Sequence, residues 1–209
     1  MVQMQQNFHA SCAATSLLCA AVELGVKTLP KKQNLTMWVQ DYNNLELSDY
    51  CQRRIYQWTS HEFQAPMFEA AYWGYSMPTD VADCALHLGL QAEILVYRSW
   101  TAFGLKLTYR DEWARILNHP CYTPMRDTHS RDRTLLQDNE RELKVLAEWQ
   151  DFVGPIKRTG SLHVVMARPR IGAWAIMEPG QGMNMESLKD VKEELDMHGT
   201  GLSVIVRKP

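Results

Sequence analysis

From Ala10 to Leu24 the chain is nearly unbroken in small and apolar residues, and only Ser11, Thr15, Ser16 and Glu23 interrupt it. A helix over that stretch is apolar on almost every face, so it is expected to run through the core, with Gly25 as its C-terminal stop. Residues 26–34, with Pro30 and several lysines, read as a loop. Residues 47–60 mix aromatic and charged positions and predict a half-exposed structural helix. A clearer helix follows, with Ser76 as its cap, Pro78 in its first turn, Val81, Ala82, Ala85, Leu86 and Leu88 along one side, and Gly89 at its end.

Residues 90–97 alternate weakly and predict a strand. Beyond them, 111–117 and 138–152 read as helices around a polar loop, 126–133, taken as a solvated linker. Residues 160–167 are apolar on both faces apart from one histidine: His163, Val165 and Ala167 share one side, and Leu162, Val164 and Met166 the other. The natural place for such a strand is a sheet interior. A turn at 169–172 leads to a return strand at 173–177; a helix over 185–197 and a strand over 202–207 close the chain. Strands that follow helices in this order predict an α+β fold.

Composition narrows the picture. At 209 residues and 45% hydrophobic content the chain is long enough for one well-buried core and short for two, so 1–209 reads as a single domain with an insertion-rich middle at about 99–155. Lysine and arginine total 22 against 24 acids, a net charge of −2 without a basic block, which makes nucleic acid an unsuitable partner. Five cysteines, at 12, 19, 51, 84 and 121, form an odd set with no C-x-x-C pair. That excludes a disulfide framework and a zinc knuckle and points to a reducing compartment. The histidines at 61, 87, 119, 129 and 198 have no metal-ligand spacing, so neither metal nor organic cofactor is expected. The apolar run is too short for a membrane span and has no basic residue before it, unlike a signal peptide.

The candidate chemistry begins at Cys12. A cysteine at a helix N-terminus meets unpaired backbone N–H groups and the positive end of the helix dipole, which favour the thiolate, its nucleophilic form. Cys19 and Cys84 lie inside apolar helical patterns and read as buried packing residues. Six residues before Cys12, the Gln6 side-chain amide is a donor suited, with the Cys12 backbone N–H, to a developing oxyanion. His9 reads as a loop residue at the rim. A symmetric hairpin centred between Arg170 and Ile171 sets His163 directly opposite Glu178, where a carboxylate orders the imidazole and stabilises its charged form. Gln181 is the reserve for that third place.

Gln6, then Ser11-Cys12, then a small-residue helix resembles the nucleophile segment of papain-like cysteine peptidases. With Ala10 before the serine and Ala13 after the cysteine, the chain looks closer to the divergent bacterial branches than to papain: the peptidase domains that trim bacteriocin leaders, and secreted effector proteases. Those branches frequently carry Asp-Pro-Gly where this chain has Glu178-Pro179-Gly180. The resemblance implies a papain-like fold, a central nucleophile helix packed on an antiparallel sheet, and Cys12, His163 and Glu178 as catalytic residues with Gln6 in the oxyanion hole. It implies a protein or peptide substrate, and a bacterial effector or toxin that is cytoplasmic or delivered without a signal peptide into a target-cell cytosol, with a cognate immunity or inhibitor protein as a further partner. The same chemistry serves a glutamine deamidase, a transglutaminase or a peptidoglycan amidase, and a silent module that only binds is the alternative of a different class.

Overall fold

In the computed structural model the described residues are 2–29, 44–60, 74–96, 105–106, 108–124, 136–153, 156–171 and 174–209. The polar loop at 126–133 and the part of the first loop at 30–34 lie outside them. In chain order the elements are α1 (Cys12–Glu23), α2 (Asp49–Thr59), α3 (Pro78–His87), β1 (Gln91–Val96), α4 (Arg110–Asn118), β2 (Tyr122–Pro124), β3 (Glu140–Val153), β4 (Ile156–Ile171), β5 (Trp174–Glu178), β6 (Met183–Met185), α5 (Leu188–Leu195) and β7 (His198–Arg207). The seven strands form one sheet in the order β2-β1-β7-β3-β4-β5-β6, antiparallel throughout except for the parallel pair of β1 with β2. The fold is α+β, as expected of a papain-like chain.

α1 is the hub. Its residues 12–21 are all buried, in one apolar cluster with Leu143, Val145, Val164, Met166, Met177, Val204 and Val206 of the sheet and Ile55 and Ala85 of the neighbouring helices. The opposite face of the sheet carries a smaller cluster, Leu146, Val165, Ala167 and Ile176 with Val191 of α5. Alternate residues of β4 thus serve the two clusters, which is why that strand reads as apolar on both sides.

Three expectations change. Residues 138–152 were expected to be helical, and they form β3. The glutamates, leucines, lysine and alanine there are good helix formers, but the segment lies between β7 and β4, and a strand is what satisfies its backbone from both sides. α2 was expected to be half exposed, yet Cys51, Gln52, Arg54, Ile55, Tyr56, Gln57 and Thr59 are buried. α3 starts from Met77 rather than Ser76, whose hydroxyl instead meets Thr59 Oγ1 at 2.7 Å.

Residues 2–9 run without regular structure, pinned along their length. Glu23, near the end of α1, takes Arg141 Nε on Oε2 at 2.6 Å and Val2 N on Oε1 at 3.3 Å, and Arg168 Nη1 lies 2.7 Å from the same Oε1 as an ion pair rather than an aligned hydrogen bond. Arg168 Nη2 donates to Val2 O at 3.1 Å. Farther along, Gln5 packs on Gly182 so closely that a Cβ there would stand 2.8 Å from Gln5 N, and Gly182 has φ +67°.

Two outcomes test this framework. Glu23→Gln leaves Arg141 and Arg168 without their shared counter-charge and is expected to lower the unfolding free energy in urea by about 3–5 kcal/mol. Gly182→Ala combines a left-handed backbone with a collision against Gln5; a loss of about 1–3 kcal/mol is expected, read as a lowered Tm.

Candidate active site

Ser11, which precedes α1, does not cap it: its hydroxyl is turned back on Phe8, donating to the carbonyl at 2.9 Å and accepting from the N–H at 3.3 Å. No acidic residue stands in the first turn. The first-turn N–H groups of α1, Cys12 among them, therefore lack a side-chain cap and supply partial positive charge where the thiol begins.

β4 brings the histidine. Pairing to β5 covers Met166 and Ala167, opposite Met177 and Ile176. Nearer the start of β4, the Val164 carbonyl accepts the α1 hydroxyl of Ser16 at 3.2 Å. α1 therefore meets β4 beside the place where β5 has ended, and the Cys12 thiol comes near enough to the His163 ring there to act on its charge. A register irregularity between β3 and β4 follows the Ala147–Leu162 pair, one pair beyond Leu146–His163, the kind of break that bends a strand near a site.

His163 Nε2 meets Glu178 Oε1 at 2.5 Å. The two are not directly opposed, as a symmetric hairpin would have them. Continuing the observed register sets Glu178 across from Val165, two residues along from His163. A shift of two keeps both residues on one side of the sheet, whereas a shift of one would have separated them. The longer reach of glutamate spans the diagonal.

Glu178 is held from behind as well, by Gly180 N on Oε1 and Gln181 N on Oε2, both at 2.7 Å. Burial acts against its charge, but the hydrogen bonds from His163 and from these two N–H groups prevail and hold its carboxyl below the usual range. Burial likewise acts against the charged imidazole; the nearby Cys12 and the hydrogen-bonded Glu178, with their charges, outweigh that and raise His163 to about 9. Gln181 turns its side chain outward to Glu194, at 2.8 Å, so the reserve position is not beside His163.

Gln6 is carried by the residues 2–9 segment. Its N–H donates to Pro179 O at 2.7 Å, its Nε2 donates to His9 O at 3.2 Å, and its Oε1 is buried without a partner. One N–H of that amide is thus engaged, which leaves a second. His9 is exposed and contributes its carbonyl, not its ring, to this contact.

Beside Cys12 opens an apolar pocket that the sequence did not disclose. Its walls include Val81, Tyr109, Trp113, Leu143, Leu162 and Val164, drawn from α3, α4 and the sheet. Nothing linear marks such a site, because its residues are ordinary core types until the fold collects them. Burial, reinforced by Glu23, pushes the Cys19 thiol up to about 12, burial also raises Cys121, and none of the five cysteines forms a disulfide. Among the described residues no group of histidine, cysteine and carboxylate side chains forms a metal site, and no helix is long and apolar enough to cross a membrane.

Comparison with known proteins places this geometry. A family model described as Invasion plasmid antigen J, cysteine protease matches residues 4–209. Cysteine protease IpaJ of Shigella flexneri is 31% identical over 183 residues, which cover 86% of this chain and 65% of that protein. The chain thus spans a little under two thirds of that relative's length. No solved structure matches. The match from Met4 to the final residue takes in Gln6, Cys12, His163 and Glu178 alike, and the chain belongs to the Invasion plasmid antigen J cysteine protease family.

Proposed function

We propose that this chain is a papain-like cysteine peptidase domain that cleaves an amide bond with Cys12 as nucleophile, His163 as acid and base, Glu178 as the orienting carboxylate and Gln6 as oxyanion donor. The observation that carries the reading is the His163 ring hydrogen-bonded to buried Glu178, with the Cys12 thiol near enough to act on its charge.

The sequence of events follows from the geometry. With His163 charged by its two partners, Cys12 stands as the thiolate of an ion pair. The thiolate attacks the carbonyl, and the Cys12 N–H and the free N–H of Gln6 take up the charge that develops on oxygen. The imidazolium then protonates the leaving amine, and water activated by the neutral ring hydrolyses the thioester. The pocket beside Cys12 suits a substrate with an apolar group next to the scissile bond. No step requires a metal or organic cofactor.

Peptide cleavage is preferred to deamidation or acyl transfer on the family membership. A bacterial effector working in another cell's cytosol agrees with five cysteines outside any disulfide and with a family named for an invasion plasmid antigen. A cognate inhibitor protein belongs to the same reading.

The deciding experiment incubates wild-type protein and Cys12→Ala with a target-cell lysate and maps new termini and deamidated glutamines. New termini that depend on Cys12 are expected; deamidation without cleavage would reassign the reaction, and no difference between the two proteins would leave only a binding module. His163→Ala is expected to slow cleavage of a substrate found in this way by about 10²–10⁴-fold. It is also expected to slow alkylation of Cys12 by iodoacetamide, and an unchanged alkylation rate would rule out the ion pair. In a pH–rate profile, cleavage should decline as pH rises through about 9, where His163 loses its proton. Glu178→Gln removes a hydrogen bond and a charge that raise that value, so its alkaline limb should move to lower pH. Folding stability carries the same sign: the contribution of His163 is complete below about 6.5 and is lost as pH rises through about 9.

A further inference from the structure

Gln52 is a neutral side chain on α2 with none of its surface exposed, and its carboxamide is fully engaged. Oε1 accepts from Asn7 N at 2.9 Å, and Nε2 donates to Gln5 O at 3.1 Å and to Thr15 Oγ1 at 2.8 Å. The first two partners are the backbone groups that flank Gln6. In extended chain the C=O of the preceding residue and the N–H of the following one point to the same side, opposite to the N–H of the residue between them. The contacts agree: Gln52 holds one side, and Gln6 N–H reaches Pro179 O on the other. The backbone at Gln6 is gripped from α2 and from the loop after β5 at once.

The third hydrogen bond of the amide fixes the grip to α1. Thr15 Oγ1 donates onward to Ser11 O at 2.9 Å, within the turn that presents Cys12. Ser11 and Thr15 are as fully buried as Gln52. A short buried relay therefore joins the segment bearing Gln6 to the turn bearing the nucleophile.

We propose that Gln52 is a positioning residue for the oxyanion hole, setting Gln6 against the Cys12 N–H so that both meet one oxygen. The inference rests on the roles given above to Cys12 and Gln6, and it assigns to α2 a part in the reaction beyond packing. Gln52 touches no substrate. Its effect appears where an oxyanion forms and is absent where none does.

Two reagents separate these cases. With p-nitrophenyl acetate the Cys12 sulfur bonds to the acetyl carbon, the carbonyl electron pair moves onto oxygen within the hole, and collapse expels p-nitrophenolate and leaves the acetyl thioester. With iodoacetamide the sulfur displaces iodide from a saturated carbon, and no oxyanion arises. Gln52→Met keeps the length and removes all three hydrogen bonds; Gln52→Glu keeps only the acceptor for Asn7 N–H and serves if the methionine variant does not fold.

The expected result is a p-nitrophenolate burst slowed by about 10–100-fold, with iodoacetamide alkylation of Cys12 within about twofold of wild type. In a Gln6→Ala background the same substitution should slow the burst by less than about threefold, because the donor it positions is gone. Equal loss in both backgrounds, a parallel fall in burst and alkylation, or an undiminished burst in the Gln52 variant would each overturn the proposal. A wild-type burst no larger than that of Cys12→Ala would instead remove the underlying assignment of Cys12, a failure distinct from these.

Discussion

The Glu178 carboxylate sits almost wholly out of water, and an anion in such a place persists only while donors replace its hydration. Three do so: the His163 ring and the backbone N–H groups of Gly180 and Gln181. Two of them belong to the chain that immediately follows, so the loop from 178 to 182 must curl around the carboxylate. That curl presents the Pro179 carbonyl to Gln6 and brings Gly182 under Gln5. One buried charge thus sets the direction of the histidine and also supplies the dock for the segment that carries the amide donor.

The proposed nucleophile, Cys12, is held by other means. α1 is held on all sides by apolar packing, so its first turn has little freedom, and Ser11 spends its hydroxyl on Phe8 rather than on the helix end. A capped N-terminus would have satisfied its own N–H groups and left less for a substrate oxygen. Cys19, seven residues along the same helix, lies inside the apolar core, where burial pushes its thiol up to about 12.

Much of this was legible in the chain, and the failures have physical causes. Cys12, Gln6, His163 and Glu178 stand out in the chain as candidates because each carries local chemistry and the two halves of the proposed site each lie on a short stretch. The direct opposition of His163 and Glu178 was misread by two residues, since a hairpin's symmetry says nothing about irregularities along its ladder. β3 was taken for a helix because its residue types favour one and only its seat between two strands decides otherwise. Nothing in the sequence singles out Gln52 on a helix expected to be half exposed; a position three residues before Ile55 and next to Cys51 hints that it faces inward, but not what it meets there. The pocket beside Cys12 depends on three helices and the sheet arriving together, and no single stretch carries that information.

The segment from Val2 to Asn7 is tied at Val2 to the Glu23 and Arg168 cluster and again at Gln5, Gln6 and Asn7. A chain moored at both ends over so short a length has almost no slack. The number of residues between the moorings is then a measured quantity: one more would have to buckle outward and one fewer would pull a mooring loose, and in either case the amide of Gln6 would be displaced. The site is calibrated by the length of a segment that belongs to no helix and no strand.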